Sequence, residues 1–248
     1  MKYLFTCFVL CFVLPLMAKA QSFVEDNPAL RYQVTEEESN ISEEQFYEVI
    51  ETALEIYTEI IEEQGWKPLT IRGFWEDETV NAYILPQLQK NIVTMYGGLA
   101  RRPEVSLDGF ALVVCHEIAH GYGGKPDKRS PLFKVSVEGQ ADYYGAGVCL
   151  PKVLDAIPIT DFAVPTSYER FLCENEADPS QCERLVLASR RIGALLAFIK
   201  SEPIPQFETP DPSVVRRTLR DHPGIQCRLD TYLAGILNLE RPRCWYRP

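Results

Sequence analysis

Val113–Gly124 reads V-V-C-H-E-I-A-H-G-Y-G-G, and how these residues are read decides how the rest of the chain is organised. On a helix, positions four apart share a face, so His116 and His120 can aim ring nitrogens at one metal ion. Glu117 is rotated to the side where a water on that ion would lie. The chain has only three histidines, so chance rarely produces H-E-x-x-H. The apolar run Phe110–Val114 before the motif indicates a buried helix rather than a solvated face. Two imidazoles do not complete a zinc site, so a third ligand must come from elsewhere.

Gly123 extends the pattern to H-E-x-x-H-x-x-G, which in one zinc class continues to a third His three residues on. That position is Pro126, which offers no ligand. The alternative is a carboxylate from a second helix. Glu138, in S-V-E-G-Q-A-D-Y-Y, follows His120 by eighteen residues, with Asp142 one turn further on the same face. Glu138 is therefore the expected third ligand. Asp142 is placed to accept the second ring N–H of a ligand histidine, fixing its tautomer. Three protein ligands leave the fourth zinc position open, the layout of a catalytic site, in which zinc brings the pKa of a water to ~7.

The surrounding elements follow from periodicity and capping signals. Residues 40–65 read as one helix, opened by the capping box Ser42/Gln45, closed by Gly65, with a stripe of Phe46, Val49, Ala53, Ile56 and Ile60. Three strand-like pieces follow, at 69–75, 79–85 and 91–96, and three short neighbours predict a small, mostly antiparallel sheet. Residues 107–122 then read as the motif helix, ended by Gly121, Gly123 and Gly124. A second helix is expected over 135–148, a loop over 151–165, a helix over 181–200, a proline-rich extended stretch over 201–212 and a last helix over 223–237. Helix, small sheet, then helices is an α+β order.

H-E-x-x-H followed by E-x-x-A-D resembles the M48 family of zinc metallopeptidases, and further pieces fall in that family's order. Asn81-Ala82-Tyr83 is similar to its N-A-F/Y edge strand, and Ile92–Leu99 to the strand and turn that follow. Asp221-His222-Pro223 with Arg228 is similar to its C-terminal H-P-x-x-x-x-R element. The likeness covers residues 81–237. It implies a zincin-like α+β fold, with an active-site helix, a second ligand-bearing helix and a mainly helical C-terminal part. It implies one Zn2+ per chain on His116, His120 and Glu138, with Glu117 as the catalytic base that later protonates the leaving amine. The developing oxyanion needs a donor besides zinc. His222, the remaining histidine, is the candidate; the alternatives are a capping or core histidine, or a fourth ligand that closes the site. Arg228 is expected to pair with Glu138 or Asp142. A sheet edge carrying Asn81, Ala82 and Tyr83 would bind an extended peptide by backbone pairing. The implied activity is that of a zinc metalloendopeptidase acting on unfolded or extended protein segments, and a closed site would instead make a latent or non-hydrolytic zinc protein. The chain departs from the family in lacking the transmembrane helices of many members and in its cysteine content.

Residues 1–20 carry Lys2, an apolar run and Ala18-Lys19-Ala20, the layout of a secretory signal peptide. Roughly fifteen apolar residues fall short of the ~20 needed to span a bilayer, so no stable membrane insertion is expected after cleavage. Residues 21–248 are expected to form a single metallopeptidase-like domain, secreted, and periplasmic in a bacterium or extracellular otherwise. Loss of Lys2 and Lys19 takes the formal charge from −10 to −12, which argues against nucleic acid as a partner. Six cysteines remain, and an even count in an exported chain reads as disulfides. Proximity favours Cys173 with Cys182 and Cys227 with Cys244. Cys115, about 100° around the helix from His116, belongs to a disulfide or the core rather than to the metal site. Oligomeric state has no signature in the sequence.

Overall fold

The computed structural model describes residues 20–25, 31, 39–128, 133–159 and 163–248; the expected signal segment therefore lies almost wholly outside the described residues. Strand β1 (Gln21–Ser22) comes first, then helix α1 (Glu43–Gln64). The capping box of α1 is formed as expected: Ser42 Oγ accepts from Gln45 N–H at 3.2 Å, and Gln45 Oε1 accepts from Ser42 N–H at 3.0 Å. Gly65 ends the helix at φ 61°, a left-handed conformation that glycine adopts without a Cβ clash. The buried stripe runs through Phe46, Val49, Ala53, Tyr57 and Ile61, with Ile56 and Ile60 only half-buried. The apolar face thus drifts by one position in its last two turns, because Tyr57 offers more surface to bury than Ile56.

Strands β2 (Leu69–Phe74), β3 (Ala82–Pro86) and β4 (Asn91–Tyr96) join β1 in a sheet of order β1-β3-β4-β2. The sheet is mixed. β3 pairs antiparallel with β4 and with β1, but β2 runs parallel to β4. Residues 75–81 form too long a connection for a tight hairpin, so β3 is carried past the place beside β2, and β4 fills the gap. Helix α2 (Gly97–Ala100) turns the chain into α3 (Leu107–Tyr122), which is N-capped by Ser106. Every residue of α3 except Gly121 is buried, as expected of a helix that is apolar almost all round. It packs on α1, on the sheet and on the later helices. Of the glycines expected to end it, Gly121 lies within the helix, Gly123 is its cap, and Gly124 supplies the left-handed turn at φ 76°.

A two-stranded ribbon, β5 (Asp127–Lys128) and β6 (Val135–Ser136), returns the chain beside α3. α4 (Glu138–Tyr144) then continues through a π-helical turn, 145–149, into α5 (Leu150–Ala156). The second ligand helix therefore starts three residues later than expected, and a helix replaces the start of the expected loop. Pro151 sits in the first turn of α5, where a missing N–H costs little. α6 (Ser167–Cys173) was not expected, although Thr166 and Glu169 form a capping box that the sequence spells as T-S-Y-E. α7 (Pro179–Lys200), N-capped by Asp178, and α8 (Ile225–Ile236) complete the fold as expected to within two residues. The π-helical turn and α8 meet backbone to backbone: a Cβ on Gly147 would lie 2.2 Å from Gly235 O.

Three disulfides tie these elements together. Cys173–Cys182 joins α6 to α7, and Cys227–Cys244 ties α8 to the C-terminal tail, both as proximity favours. Cys115–Cys149 fastens α3 to the π-helical turn. No helix among the described residues is long and apolar enough to cross a membrane.

Candidate metal centre

α3 and α4 pack side by side so that His116, His120 and Glu138 converge, with ligand atoms within 4.8 Å of one another. All three side chains are buried. Glu138 Oε2 lies 3.5 Å from His116 Nε2 and 3.3 Å from His120 Nε2, and the two imidazole planes stand nearly perpendicular at 85°. The expected ligand triad is thus assembled, and the group could hold a metal ion.

The other ring nitrogen of each histidine fixes what these nitrogens offer. His120 Nδ1 lies 2.8 Å from Ser136 O, a pure acceptor, so it carries the proton. His116 Nδ1 lies 2.8 Å from Asp142 Oδ1. The Nε2 atoms of both rings therefore face the same Glu138 carboxylate oxygen. His116 Nε2, His120 Nε2 and Glu138 Oε2 are buried without a hydrogen-bond partner among the described residues. Three facing electron-pair donors repel one another unless a proton or a cation lies among them, and nitrogen–nitrogen–oxygen is a donor set suited to a divalent transition metal. The residues fit a metal on this ground.

Arg228 resolves in favour of Asp142: its Nε and Nη2 donate to Asp142 Oδ2 and Oδ1 at 2.9 and 2.8 Å, a bidentate pair. Burial opposes the Asp142 charge, but Arg228 and then His116 outweigh it and hold the carboxyl down to about 2. Burial also disfavours charge on His116, yet Asp142 and Glu138 push the imidazole up to about 9. Glu138 feels the same desolvation, and His120 and His116 drive it well below the ordinary carboxylate range. Glu117 is buried, and neither of its carboxylate oxygens has a hydrogen-bond partner among the described residues. Desolvation pushes it up to about 8, with Glu138 adding to the rise and His116 opposing it.

His222 enters from the loop before α8, half-buried. Its Nε2 lies 3.4 Å from Glu138 Oε2 and 2.9 Å from Ser22 O. A bond to a carbonyl requires an N–H at Nε2, so this nitrogen is a donor here and not a lone pair turned to the metal group. Desolvation lowers the pKa of this imidazole.

The strand expected over 79–85 begins only at Ala82, so Ala82 and Tyr83 open β3 and Asn81 lies just before it, and the edge is paired. β1 lies along it, with Ser22 opposite Tyr83 and Phe23 N–H donating to Ala82 O at 3.0 Å. Three contributors were not legible. Ser136 acts through its carbonyl and leaves no side-chain signal. Lys128 Nζ reaches Glu138 Oε1 at 3.0 Å across a ribbon with no signature. Phe23 packs edge-on to His116, with ring centroids 5.2 Å apart, although its sequence neighbours are far from the motif. A second grouping, Asp211 with Cys227 and Cys244, is no metal site, because both sulfurs are in a disulfide.

The fold and this centre define the chain as an α+β protein with a buried His-His-Glu group capable of holding a metal. No protein-family model, curated protein or solved structure matches it.

Proposed function

We propose that the protein is a secreted zinc-dependent endopeptidase of the M48 type, hydrolysing peptide bonds in unfolded or extended protein segments. The observation that carries this reading is Glu117: a carboxyl buried beside three converging ligands, with no hydrogen-bond partner of its own among the described residues. A metal held only for structure has no use for it. Zinc in this donor set would polarise a substrate carbonyl and acidify a water. Glu117 accepts the water's proton and returns it to the leaving amine. His222 donates its Nε2–H to the carbonyl oxygen, as it does to Ser22 O. Asp142 and Ser136 O hold the two imidazoles in the tautomer that presents Nε2, and Arg228 holds Asp142. The N-terminal end of β3 aligns the extended chain once β1 leaves that edge. Disulfides and the absence of a membrane-crossing helix among the described residues are compatible with export.

One observation favours a second reading, a latent or non-hydrolytic zinc protein. His222 Nε2 is as near Glu138 Oε2, at 3.4 Å, as the ligand histidines are. A small rotation of the ring, with its proton moved from Nε2 to Nδ1, would make it a fourth ligand and close the site. Degradation of unfolded casein by zinc-loaded wild type, Glu117→Gln and His222→Ala separates the two. Loss of activity in both variants supports the peptidase with His222 as donor, and activity that rises in His222→Ala supports the closed site. Equal behaviour of wild type and Glu117→Gln, with zinc bound in both, ends the enzyme reading.

A further inference from the structure

The strand that lies along the β3 edge makes more contacts with the centre than sheet closure requires. β1 runs antiparallel to β3, Gln21 opposite Ile84 and Ser22 opposite Tyr83. Val24 N–H donates to Asn81 Oδ1 at 3.2 Å, and Asn81 Nδ2 donates back to Val24 O at 3.4 Å. Two consecutive carbonyls are then taken by the groups around the metal ligands: Ser22 O by His222 Nε2–H and Phe23 O by Arg228 Nη1–H, each at 2.9 Å. Lys128, which pairs with Glu138, also donates to Gln21 Oε1. The Phe23 ring is wholly buried, in a T-shaped contact with the His116 imidazole and with the Arg228 guanidinium 4.6 Å from its centroid.

We propose that residues 21–25, Q-S-F-V-E, are an internal occupant of the peptide groove, and that the groove takes an extended chain with an aromatic or large apolar side chain where Phe23 sits. This rests on the peptidase reading, whose substrate-binding parts it uses one by one. The segment pairs with the edge assigned to substrate, and its Ser22 carbonyl accepts the very N–H assigned to the reacting carbonyl. The pairing supplies backbone affinity, while the Phe23 cavity supplies selectivity, since alternate side chains of an added strand point into pockets. With the segment in place no second chain can pair with β3 at Ala82 and Tyr83, so wild type cleaves only through the fraction of molecules in which the segment is displaced.

The test uses the zinc-loaded exported protein with Phe23→Ala or Val24→Pro, and a fluorescein-labelled Q-S-F-V-E peptide as probe. Binding is read by anisotropy, folding by a cooperative melt, and cleavage with a quenched unfolded-protein substrate. The opened variants are expected to bind the peptide at least about tenfold more tightly than wild type, and to lose about tenfold when its Phe is replaced by Ala, each tenfold being about 1.4 kcal/mol. Cleavage should rise by a similar factor. If Phe23→Ala fails to fold, Val24→Pro carries the test, because it removes the Val24 N–H that bonds Asn81 Oδ1 and keeps an apolar side chain there. Folded variants that bind no better than wild type overturn the occupant, even where all of them cleave substrate and the peptidase reading stands. Variants that bind the peptide but cleave nothing keep the occupant and remove the peptidase.

Discussion

Glu117 and Asp142 are both buried carboxyls near the same imidazole, and their surroundings push them in opposite directions. Asp142 has a bidentate arginine and stays charged, whereas Glu117 has no such partner, and desolvation with a contribution from Glu138 drives it up to about 8. With His116 pushed up to about 9 by Asp142 and Glu138, protein groups alone hold protons at neutral pH that a cation would displace. Zinc binding at pH 7 is therefore expected to release at least one proton per chain, seen as a buffer-dependent enthalpy in calorimetry; equal enthalpies in buffers of different ionisation heat would contradict it. Glu117→Gln should keep zinc yet lose about 10²–10⁴-fold in peptide hydrolysis. Asp142→Asn should weaken zinc about 10–100-fold and, by stranding Arg228, destabilise the fold by about 3–5 kcal/mol; a chelator competition and a denaturant melt check the two halves. His116, Glu117, His120 and Glu138 were legible because helical spacing is a property of the chain itself. Asp142 with its histidine and Arg228 was expected as well, whereas Ser136 O on His120, Lys128 on Glu138 and Phe23 on His116 come from a carbonyl and from distant segments, which carry no local pattern.

The helices and strands were largely legible where they begin or end on a capping residue, as α1 does at Ser42 and Gly65. Strand direction was not, because β2 and β4 become parallel neighbours through a choice of route over 75–81 that no strand's own pattern records. The continuous helix through Pro151 was missed for a related reason: proline reads as a breaker, yet at the first turn of α5 it removes no needed bond. The π-helical turn sets the depth at which α4 meets α8, and the contact there is backbone on backbone. Gly147→Ala would place a methyl 2.2 Å from Gly235 O, so the helices must separate, at a cost of about 1–3 kcal/mol. Thermal melts of this variant against Gly224→Ala, where an added Cβ meets nothing within 4 Å, would expose an error here if the first were no less stable than wild type.

At the scale of the molecule, the centre is held by contacts that span almost the whole chain: Arg228 bonds Phe23 across 205 positions, and His222 bonds Ser22 across 200. Such closure is invisible to periodicity, which is why the sheet edge read as open and proved to be paired. It also makes the fold sensitive to acid. A carboxyl whose folded pKa is depressed adds stability above its unfolded value and loses it as pH falls through the folded one. Asp142, lowered from 3.8 to about 2, should therefore withdraw on the order of 2 kcal/mol of stability between pH 5 and pH 2. Urea melts across that range check this, with Asp142→Asn expected to show a flatter dependence. The claim on which everything else stands is that His116, His120 and Glu138 bind one catalytic zinc, and X-ray absorption on the purified, metal-quantified protein tests it most directly. One zinc per chain, with two imidazoles and otherwise oxygen ligands, is the expected result; a protein that retains no zinc, or a zinc surrounded by three imidazoles, would contradict it.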